Sequence, residues 1–155
     1  MTHDYQRVSA AVLALARAAD DLDRSLLAGG YAVTVRRVFP SAPDQIARVR
    51  EFVRLALGPV PVLDEAVLLV SELSTNAVVH TAAGDRGTFG VAVRRQASSV
   101  RVEVCDSGSR RVPVARPQDE LAEEGRGLGL VDLVADRWGH SGDQDGRSVF
   151  FELRW

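Results

Sequence analysis

Between Leu68 and Thr81 the chain reads LLVSELSTNAVVHT, a stretch without glycine or proline that alternates aliphatic and polar side chains at helical spacing. At about 100° per residue, positions four apart stay on one side of a helix, so Glu72, Asn76 and His80 line up within about 80° of arc. Ala66, Val70, Leu73 and Ala77 keep the same rhythm on a neighbouring face. One flank is therefore committed to a core, and the other presents a carboxylate, an amide and an imidazole in file. Such a helix needs an apolar surface to lie on. Its polar stripe has two readings, a solvated face or a place for metal-phosphate chemistry, and only the rest of the chain can separate them.

The apolar surface is supplied by β-branched, partly alternating runs. Ala32 to Phe39, Thr88 to Arg95, Val100 to Cys105, and two runs around Trp138 to Ser141 and Arg147 to Leu153 read as strands. Pro40-Ser41-Ala42-Pro43 ends the first and opens a helix from Asp44 to Leu57, with Ile46, Val49, Val53 and Leu57 inward and Phe52 beside them. Gly58-Pro59-Val60-Pro61 is a rigid connection into the helix that ends at His80, and a third helix runs from Gly127 to Ala135. Ala97-Ser98-Ser99 and Gly142 to Gly146 are turns, whereas Ser107 to Glu124 is charged, contains proline and has no apolar period, the pattern of a lid or loop. Ahead of all this, Thr2 to Ala28 reads as a helix with a heptad seam through Val8, Val12, Leu15, Ala19, Leu22 and Leu26. That seam can pair with a copy of itself, lie on the domain or receive a partner helix. The expected fold is an α/β two-layer sandwich, a mixed and mainly antiparallel sheet with helices on one face, plus the N-terminal helix. Residues 1–30 form a helical extension and 31–155 the domain.

Composition removes several chemistries. All 19 basic residues are arginine, so a P-loop lysine, a Schiff-base lysine and a lysine general base are excluded. A net charge of -2 argues against nucleic-acid binding, although Arg94, Arg95, Arg101, Arg110, Arg111 and Arg116 bunch mid-chain and could dock an acidic partner. Cys105 is the only cysteine, which excludes a disulfide framework, and Val102 and Val104 before it suggest a buried thiol. No apolar run approaches the roughly 20 residues of a membrane span, and the start of the chain lacks a signal-peptide layout, so no membrane association and a cytoplasmic location are expected.

Three further segments give the polar stripe a setting. Cys105-Asp106-Ser107-Gly108 places an acid at a strand end, followed by a glycine that permits close backbone approach. Asp106 can accept from an exocyclic amine or simply make a turn. Gly125-Arg126-Gly127-Leu128-Gly129-Leu130 opens a helix, whose free N-terminal amides can bind phosphate. Arg126 is a candidate clamp for a terminal phosphate or an ordinary surface arginine. Gly146-Arg147-Ser148 enters the last strand, where Ser148 either serves a nucleotide or begins the strand.

In order and spacing these segments resemble the GHKL ATPase family, the histidine-kinase-type ATP-binding domain. Glu72-x-x-x-Asn76 is similar to its N-box, Asp106-x-Gly108 to its first glycine box, Gly127-x-Gly129 to the second and Gly146-x-Ser148 to the third; Ser109 to Glu124 stands where the family has its lid. The resemblance implies ATP and Mg²⁺ as cofactors. It implies Asn76 as the Mg²⁺ ligand, Glu72 as the base toward the attacking hydroxyl or water, and Asp106 as acceptor from the adenine amine. The amides near Gly127, Leu128 and Gly129 would hold phosphate, with His80, Gly108, Arg126 and Ser148 completing the ATP site. Arg110 stands where the family often has a further glycine, a departure at the start of the lid. Sensor histidine kinases tend to have a basic residue three positions after the N-box asparagine. Val79 followed by His80 looks more like the anti-sigma-factor serine/threonine kinases of bacteria. That branch implies an antagonist protein as phosphoacceptor, a sigma factor as second partner, and a homodimer. The alternative is a nucleotide-dependent interaction module that transfers no phosphate.

Overall fold

The computed structural model describes residues 30–80, 87–106, 126–142 and 146–155. In chain order they form β1 (Val33–Pro40), α1 (Gln45–Leu57), α2 (Leu63–His80), β2 (Thr88–Gln96), β3 (Ser99–Asp106), α3 (Arg126–Val134), β4 (Arg137–Gly142) and β5 (Arg147–Arg154). The expected N-terminal helix and its seam, the lid region and the centre of the last turn lie outside the described residues.

The strands make one sheet of order β1-β2-β3-β5-β4, in which every pairing is antiparallel. Thr88 to Gln96 and Ser99 to Asp106 close a hairpin whose last pair is Gln96 with Ser99, leaving Ala97-Ser98 as the turn. Alternation along β3 sends Val100, Val102 and Val104 to the helix side, where they meet Phe89, Val91 and Val93 of β2 and Phe151 and Leu153 of β5. The helices cover that face. Val49, Val53 and Leu57 of α1, Ala66, Leu69, Val70, Leu73 and Ala77 of α2, and Leu128 and Val131 of α3 complete a single core. Ile46 is half-buried and Phe52 packs on the core edge, meeting Phe39 edge-on at 5.9 Å between centroids.

Polar residues inside α2 are reconciled with its apolar setting by bonding back along the helix. Ser71 Oγ donates to the Val67 carbonyl at 2.7 Å, and Thr75 Oγ1 donates to that of Ser71 at 2.8 Å. Asp64 and Glu65 in its first turn suit the positive end of the helix dipole. Asp132 and Asp136 tie α3 to the sheet edge: Trp138 Nε1 donates to Asp132 Oδ1 and the Arg154 amide donates to Asp136 Oδ2, both at 2.7 Å.

One expectation is corrected. Cys105 is exposed, not buried. Because successive strand residues point to opposite faces, a residue following the inward Val104 must turn away from the helices, whatever its polarity. It joins an outer-face cluster in which Ser148 Oγ donates to Glu103 Oε1, and Arg101 donates to Glu152 Oε1 at 3.0 Å. The Arg101 guanidinium lies 3.4 Å from the centre of the Phe150 ring.

Candidate functional site

The direction in which each helix crosses the sheet decides which residues meet. At Gly58, just past the C-terminus of α1, an added Cβ would lie 3.7 Å from Arg95 Nη1, and Arg95 is next to the β2–β3 hairpin turn. Helix α2 therefore starts near the hairpin end of the sheet. Its 18 residues at about 1.5 Å each span some 27 Å, matching an eight-residue strand at about 3.3 Å each, so α2 ends at the opposite end of the strands. Helix α3 runs the other way: the Asp136 amide just beyond it bonds the Glu152 carbonyl, and Arg137 pairs with Glu152 toward the hairpin end. The start of α3 thus lies at the far end, with the end of α2. Asp106, last residue of β3, is at that same end, paired with Phe89 on one side and Arg147 on the other.

One end of the sandwich consequently collects the C-terminal half of α2, the end of β3 and the first turn of α3. Glu72 and Asn76 are half-buried on α2, beside the buried Leu73 and Ala77, which accounts for their partial shielding. His80 is the last residue of α2. Asp106 is half-buried and, by the alternation of β3, on the helix side. Gly127, Leu128 and Gly129 lie in the first turn of α3, where backbone amides have no intrahelical acceptor. Leu128 sends its side chain into the core at 4% exposure, so only its amide can face the site. Among the described residues a Cβ built on Gly129 would meet no atom within 4 Å, so the backbone there is open toward them. The side chains of His80 and Arg126, and all of Gly108, lie outside the described residues.

The third glycine segment joins the first through its backbone: a Cβ on Gly146 would come within 3.7 Å of the Asp106 carbonyl oxygen. Ser148, however, faces away. It pairs with Cys105 and bonds Glu103 on the outer face, while Arg147 takes the helix side with Val149, Phe151 and Leu153. Arg147 is 7% exposed, and its buried Nε has no hydrogen-bond partner among the described residues; the Ser74 hydroxyl on α2 is in the same condition. Residue pattern alone does not single out Arg147. The signal that finds it is parity: Val149, Phe151 and Leu153 are the apolar members of β5, and Arg147 shares their phase.

The family model that matches is that of the histidine kinase-like ATPase domain, over residues 39–151. Among solved structures, the RsbU and RsbW domains of Rv1364c from Mycobacterium tuberculosis align with a TM-score of 0.61 at 20% identity, over 79% of this chain and 32% of that one. The chain thus spans about a third of that neighbour's length. The histidine kinase domain of a blue-light activated histidine kinase from Erythrobacter litoralis EL346 aligns at 21% identity and TM-score 0.47, over 75% of this chain and 61% of the other. No curated protein shows a significant match. A match from β1 to β5 takes in all the elements that build the site, and the chain belongs to the histidine kinase-like ATPase domain family.

Proposed function

We propose that this chain binds Mg·ATP at the end of the sandwich where α2, β3 and α3 converge. We further propose that it transfers the terminal phosphoryl group to a serine or threonine of an antagonist protein, as a transcription regulator of the anti-sigma-factor kind. The convergence itself carries the reading: an amide-and-carboxylate stripe, a strand-end aspartate and a glycine-opened helix start lie at one end of the sheet.

The residues present suit that ligand. The buried Arg147 Nε calls for an acceptor, the first turn of α3 offers unpaired donors, and the space above Gly129 leaves room for a phosphate. No three His, Cys, Asp or Glu side chains converge among the described residues. A cation at Asn76 would therefore take most of its ligands from phosphate and water, which is the habit of Mg²⁺.

When bound, Mg·ATP supplies the phosphoryl group and the cation that neutralises charge during its transfer. Asn76 offers the hard amide oxygen for that cation. Glu72, one turn earlier on the stripe, accepts the proton of the attacking hydroxyl. The α3 amides from Gly127 to Gly129 hold phosphate oxygens, with Arg126 adding charge, and Asp106 accepts from the adenine amine. His80 and Gly108 border the site in this reading. Ser148, which bonds Glu103 on the outer face, is left out of the binding set in this reading.

The serine/threonine branch is supported by Val79 and His80 after the asparagine motif, and by the RsbW domain in a neighbour of the same fold. The expected partners are the antagonist and a sigma factor, and the expected assembly is a homodimer. No described helix is long and apolar enough to cross a membrane.

Incubation with labelled ATP and candidate antagonist proteins tests the proposal. Label should appear on one antagonist and vanish with Glu72→Gln while Mg·ATP binding persists. Tight ATP binding with no transfer to any candidate would make the chain an interaction module instead. Should saturating Mg·ATP leave the melting temperature unchanged, the nucleotide reading fails, because a ligand at about 100 times its Kd adds roughly 2.7 kcal/mol.

A further inference from the structure

We infer that Arg147 reads the purine base together with Asp106, donating a guanidinium N–H to a ring nitrogen that flanks the exocyclic amine. This rests on the reading above in which Asp106 accepts from that amine. The two residues are direct cross-strand partners at the ends of β3 and β5, on the side of the sheet that faces the helices. Directly opposed side chains in an antiparallel pair are near neighbours, with Cβ atoms about 5 Å apart. Next to Arg147, Gly146 lies beside the Asp106 carbonyl, where a Cβ would stand 3.7 Å from its oxygen.

Arg147 is an unusual residue for this place. It is 7% exposed, and its enclosed Nε finds no acceptor among the described residues. The unmet donor is the Nε–H, whose desolvation nothing among the described residues compensates. Adenine presents the matching pattern. Its amine donates, and N1 and N7 on either side of the amine accept. A carboxylate and a guanidinium side by side are the complement of one amine and one adjacent ring nitrogen. Hypoxanthine has a carbonyl in place of the amine and a protonated N1, so it would turn an acceptor toward Asp106.

Calorimetric titration of the full chain with the magnesium complexes of ATP, 1-deaza-ATP and 7-deaza-ATP isolates the contact. The unaltered chain should bind one of the two deaza analogues about tenfold or more weakly than ATP, the worth of one hydrogen bond to a charged donor. Arg147→Met should weaken ATP by that factor and bind ATP and that analogue equally. Arg147→Lys, which keeps a donor, should retain part of the preference. A purely structural role, or a contact to phosphate, would weaken all three ligands alike and preserve their ranking, and that result would overturn the inference. Equal binding of all three by the unaltered chain would overturn it as well, with no variant required to fold. Failure of the parent reading looks different: no ATP binding at all, or ATP affinity unchanged in Asp106→Asn.

Discussion

Replacing Gly129 by alanine separates what this residue does for the helix from what it does for the site. Gly129 lies in the first turn of α3 and is not among the glycines with positive φ, so its backbone is one that alanine adopts without strain. A Cβ there meets no atom of the described residues outside its own helix turn within 4 Å, so none of these elements resists the methyl group. Alanine is favoured over glycine in a helix by up to about 1 kcal/mol, because glycine loses more backbone freedom on folding. For a chain of this size that gain raises Tm by roughly 2–4 °C. The same methyl stands in the open space over the first-turn amides, where a phosphate oxygen has to come within about 3 Å of an N–H. An added methylene-sized group in a close-packed contact costs about 1–3 kcal/mol, which corresponds to roughly 5- to 150-fold weaker binding. Scanning calorimetry without nucleotide and titration calorimetry with Mg·ATP should therefore move in opposite directions, with a higher Tm and a lower affinity. A variant that is stabilised yet binds Mg·ATP as tightly as the parent would show that phosphate does not approach this turn. One that is destabilised would contradict the unhindered helical setting of Gly129.

The core and the outer face give two further tests. Leu69, fully enclosed between α2 and the sheet, should cost about 2–5 kcal/mol on truncation to alanine, read as a lower urea midpoint at unchanged slope. Ser148→Ala removes the hydroxyl that bonds Glu103 on the face away from the helices, so Mg·ATP affinity should stay within about twofold of the parent, the tolerance for remote sites; a tenfold loss would place Ser148 in the site after all.

Local pattern made most of the architecture legible. The α2 stripe and the runs of valine at spacing two declare a helix and strands because both periods are set by backbone geometry, independent of neighbours. Gly58 and the prolines around it end α1 where expected, at Leu57. The order β1-β2-β3-β5-β4 was not legible, since it places β5 between β3 and β4 through contacts far apart in sequence. Cys105 and Ser148 show how side is lost when residue type is allowed to outweigh phase. A thiol close after two valines looks buried by composition, and a hydroxyl two residues after a glycine looks like a ligand, but the alternating faces of β3 and β5 turn both residues outward. Strand parity applied from Val149, Phe151 and Leu153 puts Arg147, not Ser148, on the helix side. For Glu72, Asn76 and Asp106 the sequence was sufficient to propose a cluster, because helix phase and strand end fix their faces; that they share one end of the sandwich follows only from the directions in which α2 and α3 cross the sheet.

The absence of lysine bears on how such a site can work. A phosphate-binding lysine carries a charge that burial can remove, because desolvation lowers its pKa. An arginine in the same surroundings stays cationic, and its planar fork supplies several donors in fixed directions. Arg147, 7% exposed at the end of β5, offers such a fork there. Arginines and backbone amides then supply the phosphate and base donors of the proposed site. A nucleotide-binding curve that changes between about pH 6 and 7 and becomes flat in His80→Gln would assign that dependence to the C-terminal end of the α2 stripe.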